Sequence, residues 1–358
     1  MFKKVIQLFA ITALLIGCTE TKENLKQEFM QSARGEVDEI ILVMDSLQYS
    51  GALGDAIKAV FREPIKGLPQ DEPIFSVNKA SPRRLNNVLK SASNMIFVMS
   101  LDSKSRESAS LRGYFTAESL KAIQQDTAQF FTIRRDEFAK GQVVLYLFSN
   151  SEELLAEQIL NRKGQLQELF ESTARRRIQK SVFAQREKTL EKVVAEDQPF
   201  TISIPYGWEQ AKNAKNFYWL RFLEADKEQN IFVYYEPYTD PDVFKNIPQL
   251  RDRITERFLR DSEQKDLYIT RQERPDIQAV FSENVNFDGK YAVKTRGLWK
   301  YSDISGGGPY ISYTVVDEAS QMLFYIEGFV YSPGTTKKNY IRELDAIIST
   351  LKVPSKNQ

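Results

Sequence analysis

The only cysteine of the chain lies directly behind an apolar run, in the opening stretch "MFKKVIQLFAITALLIGCTETKEN". Lys3 and Lys4 form a basic head, and the run that ends at Gly17 is shorter than the ~20 apolar residues that span a bilayer. A basic head followed by a short apolar run is typical of a secretory signal peptide. The sequence therefore predicts that residues 1–17 are removed.

The residues around the cysteine match a bacterial lipobox. Leu15, Ile16 and Gly17 would form the signal peptidase recognition site, with the small Gly17 at the scissile bond. The Cys18 thiol would take a diacylglyceryl group, and its new amine could carry a further acyl chain such as palmitate. Because two or more chains anchor a protein stably, we expect a lipoprotein held at a membrane. Thr19, in place of an aspartate, favours the outer membrane.

Three further motifs could carry chemistry, but each has a simpler explanation. Ser76 and Lys79 have the S-x-x-K spacing of acylating enzymes, yet the companion motifs S-D-N and K-T-G are missing. Asp240 and Asp242 could bind a hard cation, although helix capping explains both. The three glycines at 306–308 precede a proline and a strand, so we predict a hairpin loop in place of a phosphate-binding loop.

Composition excludes much of the remaining chemistry. The chain has no histidine, so a Ser-His-Asp triad, a Cys-His dyad and a histidine base are impossible. Zinc sites normally draw on Cys and His, so we expect no zinc centre, whereas carboxylate chemistry, Ser-Lys chemistry and oxygen-ligated calcium or magnesium stay open. Because the motifs present have simpler explanations, we expect no metal, no cofactor and no catalytic residue. The net charge of +1 gives no reason to expect a nucleic acid partner. A glycan hydrolase that uses two carboxylates remains an alternative, because it needs no histidine.

Aromatic residues are concentrated in the second half of the chain. All three tryptophans and thirteen of the sixteen tyrosines lie at or after Tyr206. Tyr and Trp combine a flat apolar ring with a polar tip, so one sheet face could stack on a glycan, a lipid or a peptide. The alternative is a face covered by the protein's own helices. The candidate contact residues are Trp208, Tyr218, Trp219, Tyr234, Tyr235, Tyr238 and Trp299.

Hydrophobic patterning predicts an α+β fold with two lobes of mainly antiparallel sheet and packed helices, joined by a long helical segment. In the first lobe, "EIILVMD" (39–45) and "NMIFVMSLD" (94–102) are predicted strands and "GDAIKAVFRE" (54–63) a helix. A hairpin should turn at Lys140-Gly141. The long helical segment begins at Ser151 and continues past residue 190.

The second lobe should repeat this order of strands and helices. "FTISIPYGW", "FYWLRFLE" and "NIFVYYEPY" are predicted strands, and a helix begins at Asp240. Four strands follow at about 277–287, 290–301, 309–317 and 322–331, and then a final helix. We therefore predict a lipidated tether over 18–35, an N-terminal α+β domain over 36–195 and a C-terminal aromatic-rich α+β domain over 196–354.

Two resemblances accompany these patterns. The stretches "GEVDEIILVMD", "PIKGLPQDEPIFSV", "FTISIPYGW" and "VYSPGTTKKNYIRELDAIISTL" resemble a family of Bacteroidota envelope lipoproteins classed only as a domain of unknown function. That resemblance implies an envelope location and no particular activity. The order of strands and helices after residue 200 is similar to the photosystem extrinsic protein P-like fold. This second likeness concerns the fold alone.

Together these observations predict a lipid-anchored envelope protein, more plausibly a non-catalytic binding module than an enzyme. Its partners would be the membrane, through the lipid, and an envelope protein or glycan. The outer membrane is the expected location, on either its periplasmic or its surface side. A purely structural subunit of an envelope complex is the remaining alternative, which one large exposed apolar patch would favour.

Overall fold

The computed structural model describes residues 30–259, 269–271, 280–303 and 305–353. The signal segment, its Leu15-Ile16-Gly17 site and Cys18 lie outside these residues. The chain forms two compact units. Unit 1 runs to Glu63 and resumes over Phe75–Phe170, whereas unit 2 takes in Pro64–Ile74 and continues from Glu171.

Unit 1 contains a five-stranded sheet in the order β2-β1-β3-β5-β4. Its strands are β1 (Glu39–Val43), β2 (Ser76–Ala80), β3 (Asn94–Ser100), β4 (Phe131–Arg135) and β5 (Val143–Ser149). Its helices are α1 (Ser46–Tyr49), α2 (Ala52–Phe61), α3 (Asn87–Lys90), α4 (Arg106–Arg112), α5 (Ala117–Gln125) and α6 (Glu152–Asn161). A 3₁₀ turn spans Pro82–Arg84.

The α+β class is confirmed, but the sheet of unit 1 is mixed, which corrects the expectation of a mainly antiparallel sheet there. β1 pairs in parallel with both β2 and β3, and β3 pairs in parallel with β5. Only the predicted β4–β5 hairpin is antiparallel. The physical reason is visible in the sequence, because every residue of β3 and β5 is buried, and continuous apolar runs are the mark of parallel strands covered on both faces.

The last part of the predicted tether belongs to unit 1. Ser32 forms a β-bridge with Lys140, and Arg34 forms one with Ala92. The Arg34 amide also donates to the carbonyl oxygen of Ser91 at 2.8 Å. Residues 31–34 are therefore held by backbone hydrogen bonds, so the prediction of a flexible tether is wrong for them.

Unit 2 contains an antiparallel sheet in the order β10-β11-β12-β13-β8-β7-β6, with β9 also paired to β11. Its strands are β6 (Glu209–Ala214), β7 (Phe217–Glu224), β8 (Lys227–Pro237), β9 (Ile269–Arg271), β10 (Val280–Phe287), β11 (Lys290–Tyr301), β12 (Gly307–Asp317) and β13 (Met322–Tyr331). Its helices are α8 (Lys188–Asp197), α9 (Ile247–Phe258) and α10 (Lys338–Ile348), and a 3₁₀ turn spans Pro241–Lys245. The helix α7 (Lys163–Val182) contributes residues to both units.

The proline-rich loop Pro64–Ile74 belongs to unit 2 because its polar groups serve α10. The Glu72 carboxylate accepts hydrogen bonds from the backbone amides of Lys337, at 2.7 Å, and Lys338, at 3.0 Å. Arg342 donates to the carbonyl oxygen of Ile74 at 2.6 Å. A carboxylate at the start of a helix satisfies amides that lack partners within the helix. The loop therefore caps α10. A domain boundary at residue 195 would place the loop and α10 in different domains, whereas both belong to unit 2.

Two local predictions in unit 2 were wrong. The stretch "FTISIPYGW" forms isolated bridges at Thr201 and Pro205 in place of a strand, because Pro205 has no amide to donate and Gly207 adopts a left-handed φ of 85°. The hairpin-loop prediction for the glycines at 306–308 holds for Gly306 alone, because Gly307 and Gly308 lie in β12. A Cβ on Gly308 would lie 2.0 Å from the carbonyl oxygen of Val330, so this position needs glycine for close packing.

Candidate functional site: an aromatic cavity in unit 1

The predicted alternation of the aromatic strands in unit 2 is confirmed. Phe217 and Trp219 face one side of the sheet and Tyr218 faces the other, where it meets Phe200. The first side is covered by α9, and Phe217 stacks on Phe258 of that helix with ring centroids 4.3 Å apart. Both faces are therefore packed against other elements of the unit.

Four of the seven candidate contact residues are core residues, which corrects the prediction of a stacking surface. Trp299 is 0% exposed, Tyr218 1%, Trp208 5% and Tyr234 8%. Burial raises the pKa of the Tyr218 and Tyr234 hydroxyls to about 12. Side chains as enclosed as these have no ring face to offer a ligand.

The other three candidates are partly buried and mostly held by polar contacts. Trp219 Nε1 donates to Asn230 Oδ1 at 2.8 Å, and the Tyr235 hydroxyl donates to Gln198 Oε1 at 3.3 Å. Tyr238 lies beside Phe244 and lines a surface groove. The aromatic residues of unit 2 thus form two cores, with Tyr238 at their margin.

The face of the unit 2 sheet under α9 also encloses a fully buried ion pair. Arg251 makes two hydrogen bonds of 2.8 Å to the carboxylate of Glu327, and both side chains are 0% exposed. Tyr325 donates to the same carboxylate at 2.6 Å, and the Arg251 guanidinium lies 4.3 Å from the centre of the Tyr310 ring. Burial raises the pKa of Glu327, while the guanidinium favours its charged form. Because this cluster has no opening to solvent, it can contribute to the stability of the fold and not to ligand binding.

In unit 1 the first notable polar group is Asp45, which directly follows β1. It is 1% exposed and accepts hydrogen bonds from the hydroxyls of Ser105 and Ser108 and from the Leu47 amide, the last at 2.7 Å. Burial alone would raise the pKa of Asp45, but these hydrogen bonds outweigh it and hold the pKa below its ordinary value. Asp45 therefore stays ionised and ties α1 to α4.

The Ser76-Lys79 motif does not form a catalytic pair. An odd spacing along β2 directs the two side chains to opposite faces. Ser76 donates to Asp38 Oδ2 at 3.1 Å, whereas Lys79 donates to the hydroxyl of Ser46 at 2.6 Å. Lys79 is also exposed. With the two side chains on opposite faces of the sheet, Lys79 is not placed to take the proton of the Ser76 hydroxyl, as such chemistry needs.

A cavity of about 280 Å³ lies between α5 and the β4–β5 hairpin. We call it the Tyr146 cavity. Its lining residues are Tyr114, Phe115, Thr116, Ser119, Ala122, Ile123, Asp126, Gln129, Thr132, Arg134, Tyr146 and Phe148. The volume is just below the 300–1,000 Å³ that is usual for small-molecule sites. A ligand that fits it would be small.

The floor of the Tyr146 cavity is aromatic and firmly packed. Tyr146 stacks on Phe97 at 4.9 Å, and Phe115 meets both Tyr146 and Phe148 edge-on at 5.6 and 6.0 Å. These contacts fix the positions of the rings, because each ring is held by at least one other. The floor is therefore preformed, which reduces the entropic cost of binding.

Tyr146 also brings an unused polar group to the cavity. The residue is only 4% exposed, and its hydroxyl lines the cavity without a hydrogen bond to any residue in the described part of the chain. Burial of the side chain, followed by the nearby charge of Glu137, raises the pKa of this hydroxyl, so it stays protonated and can donate. Because the hydroxyl opens onto the cavity, it donates to water or to a bound ligand.

The rim of the cavity is polar and carries both charges. Asp126 and Arg134 are exposed at the edge, together with Gln129, and Thr132 lies directly opposite Tyr146 on β4. This set offers donors and acceptors around an apolar floor, an arrangement that suits a small ring with polar substituents. The cavity lining includes one carboxylate, and hydrolysis of a glycosidic bond normally needs two.

Carboxylates do gather in the groove beside Tyr238, but each is held by its neighbours. Asp240 caps the 3₁₀ turn by accepting from the Asp242 amide, and Asp242 pairs with Lys245 at 2.6 Å. Glu236 accepts from Arg253 at 2.9 Å and from Tyr234 at 2.7 Å. The capping interpretation of Asp240 is thus confirmed. Across the described residues, no three His, Cys, Asp or Glu side chains gather as a metal site.

Sequence reasoning missed the Tyr146 cavity. Its lining comes from separate segments around residues 114–129, 132–134 and 146–148. Within "VVLYLFS" Tyr146 has the pattern of any buried strand residue, and no spacing marks its hydroxyl as unpaired. The one sequence feature that could have indicated the cavity is the amphipathic pattern of α5, which follows Thr116.

Comparisons with known proteins identify the class of domain and no activity. Residues 33–183 match the model of DUF8532, a domain of unknown function, and residues 187–350 match DUF4837, also a domain of unknown function. Each match covers less than half of the chain. A search of curated proteins finds no match.

Similarity to solved structures is distant. The Ran-binding protein Mog1p of Saccharomyces cerevisiae is 10% identical, with a TM-score of 0.29, over 43% of this chain and 90% of that one. LpqN, described as involved in cell envelope biogenesis of Mycobacterium tuberculosis, is 9% identical, with a TM-score of 0.26, over 43% of this chain and 83% of that one. Among the described helices, none has both the length and the apolar character to cross a membrane.

Proposed function

We propose that this chain is a lipid-anchored bacterial envelope protein that binds a small polar ligand in the Tyr146 cavity without catalysis. The observation that carries the binding site is the preformed aromatic cavity itself, into which the Tyr146 hydroxyl opens without a partner among the described residues. Asp126 and Arg134 at the rim would bind the polar edges of the ligand. A monosaccharide has the right size and the right combination of apolar face and polar edge.

The location rests on the sequence. The lipobox that ends at Cys18 and the resemblance to Bacteroidota envelope lipoproteins support a lipid anchor, and Thr19 supports the outer membrane. We also propose that the second half of the chain has a fold like that of the photosystem extrinsic protein P. Labelling cells with radioactive palmitate tests the anchor. We expect label in the wild type and none in Cys18→Ala, and an unlabelled wild type would contradict the proposal.

Calorimetric titration tests the binding site. The full chain, purified in a neutral detergent, is titrated with N-acetylglucosamine, N-acetylmuramic acid and glucose. We expect saturable binding of at least one sugar, and a five- to tenfold loss of affinity in Tyr146→Phe, roughly the value of one hydrogen bond. Tyr206→Phe is the matched control, because it removes the hydroxyl of an exposed tyrosine outside the cavity. Absence of binding by all three sugars would count against the proposal.

A further inference from the structure

A second concave surface of unit 1 lies at the carboxyl ends of β1 and β2. It is a groove of about 780 Å³, and its lining includes Ser46, Lys79, Ser81, Arg83, Arg84 and Glu107. We call it the basic groove. β2 pairs with one edge of β1, and β3 pairs with the opposite edge of β1, so the strand order reverses at β1. Open sheets with parallel strands bind ligands at the carboxyl ends of their strands, next to such a reversal of strand order.

The groove carries more positive than negative charge. Its lining contains three cations, Lys79, Arg83 and Arg84, and one carboxylate, Glu107. Arg83 and Arg84 are both exposed, and neither side chain forms an ion pair or a hydrogen bond with another residue of the described chain. They lie on the 3₁₀ turn that begins at Pro82, whose ring fixes the backbone there. Both residues line the groove, and neither guanidinium group is paired within the described chain.

The single carboxylate is already engaged by the protein. Glu107 accepts from the Ser46 amide at 2.7 Å and from the Ser81 hydroxyl. Burial would raise its pKa, but these hydrogen bonds and the Lys79 charge keep the pKa below its ordinary value. Glu107 is thus ionised and partly compensates Lys79, which leaves the charges of Arg83 and Arg84 available to a ligand.

We infer that the basic groove binds a phosphate monoester through Arg83 and Arg84, with Lys79 adding charge. Guanidinium groups bind phosphate oxygens with paired, charge-assisted hydrogen bonds, which suits two adjacent arginines. The phosphate could belong to a free metabolite or to a lipid headgroup, since both present the same group. This site is separate from the Tyr146 cavity and does not depend on what that cavity binds.

Titration of the full chain in neutral detergent tests the inference, with inorganic phosphate and dihexanoyl phosphatidic acid as probes at constant ionic strength. We expect saturable binding and about a tenfold loss of affinity in the double variant Arg83→Gln/Arg84→Gln. The matched control Lys121→Gln/Arg135→Gln removes two exposed charges of unit 1 outside the groove and should change affinity less than twofold. Tighter binding of the lipid would indicate a headgroup, and equal binding a free monoester.

A variant that gains affinity separates binding from folding. Glu107→Gln removes the only negative charge of the groove lining and should tighten phosphate binding several-fold. Near-ultraviolet circular dichroism checks that each variant is folded. Failure of both probes to bind would overturn the inference. So would equal weakening by the groove variant and the control, or unchanged binding in Glu107→Gln.

Discussion

The two sheets of this protein use aromatic residues in opposite ways. Unit 2 holds all three tryptophans and most of the tyrosines. Most of these side chains pack on the two covered faces of its sheet, and Trp299 is fully buried. Unit 1 has fewer aromatics than unit 2, yet four of them line a cavity. Aromatic density therefore indicates the size of a core, whereas an unpaired polar group inside a cavity indicates a site.

A second difference concerns how each unit treats buried charge. Unit 2 pairs Arg251 with Glu327 inside the core, with full burial of both. Unit 1 keeps Asp45 ionised through serine hydroxyls and backbone amides, with no cation among the hydrogen bonds that it accepts. The first arrangement depends on a single cation, while the second is shared among several neutral donors. Their responses to mutation should differ accordingly.

The largest expected effect is the loss of the Arg251 charge. Arg251→Met leaves Glu327 buried without its cation, which should cost about 3–5 kcal/mol in the free energy of unfolding. Without the guanidinium the pKa of Glu327 rises further, so the folded state prefers the protonated acid and the deficit should shrink as the pH falls. Urea unfolding at several pH values measures this. The double variant Arg251→Met/Glu327→Met should recover much of the loss, and equal losses in both variants would refute the pairing.

A comparable effect is expected from the core aromatics of unit 2. Trp299→Ala should cost about 3–5 kcal/mol in unfolding free energy, because it removes a fully buried ring and leaves a cavity. Tyr238→Ala, at the margin of the same core, should cost under ~1.5 kcal/mol. Thermal and urea unfolding of the two variants give the comparison. If Trp299→Ala leaves stability unchanged, the aromatic face is not the core described above.

Asp45→Asn should have a smaller effect, about 1–3 kcal/mol, since amide and hydroxyl donors lose a charged acceptor. The folded pKa of Asp45 lies below its unfolded value, so its contribution is present at neutral pH and is lost as the pH falls through the folded value. Wild type and variant should therefore converge in acid, below about pH 4. Unfolding curves across this range provide the measurement, and a pH-independent difference would contradict the assignment.

The smallest expected effect on stability is that of Tyr146→Phe. The hydroxyl has no protein partner among the described residues, so its removal should change the unfolding free energy by less than ~0.5 kcal/mol. Tyr325→Phe is the informative contrast, because that hydroxyl donates to the buried Glu327 at 2.6 Å and its loss should cost about 1–2 kcal/mol. A large loss in Tyr146→Phe would mean that the hydroxyl serves the fold.

Much of the fold follows from local patterns in the sequence. The alternation in "FYWLRF" correctly separates Phe217 from Tyr218, and the Lys140-Gly141 turn correctly closes the β4–β5 hairpin. The parallel pairing of β1, β3 and β5 was missed although their apolar runs carried the signal. The role of Glu72 could not be read locally, because its partners at Lys337 and Lys338 are distant in sequence.

The candidate site was beyond sequence reasoning for a different reason. Clustered aromatics are visible in a sequence, but whether a helix covers them depends on tertiary packing, as α9 does over Phe217. The choice of the Tyr146 cavity as the candidate site depends on a hydroxyl that has no hydrogen-bond partner among the described residues. The lack of a partner leaves no pattern in the sequence. Composition could exclude histidine and cysteine chemistry, yet it could not choose between the two units as the binding region.

The most direct test of the central claim is calorimetric titration of the sugar that binds best, performed on Tyr146→Phe and Tyr238→Phe in parallel. If the ligand lies in unit 1, the first variant loses five- to tenfold in affinity and the second stays within twofold of the wild type. The reverse order would return the binding site to the aromatic margin of unit 2 and contradict the assignment made here.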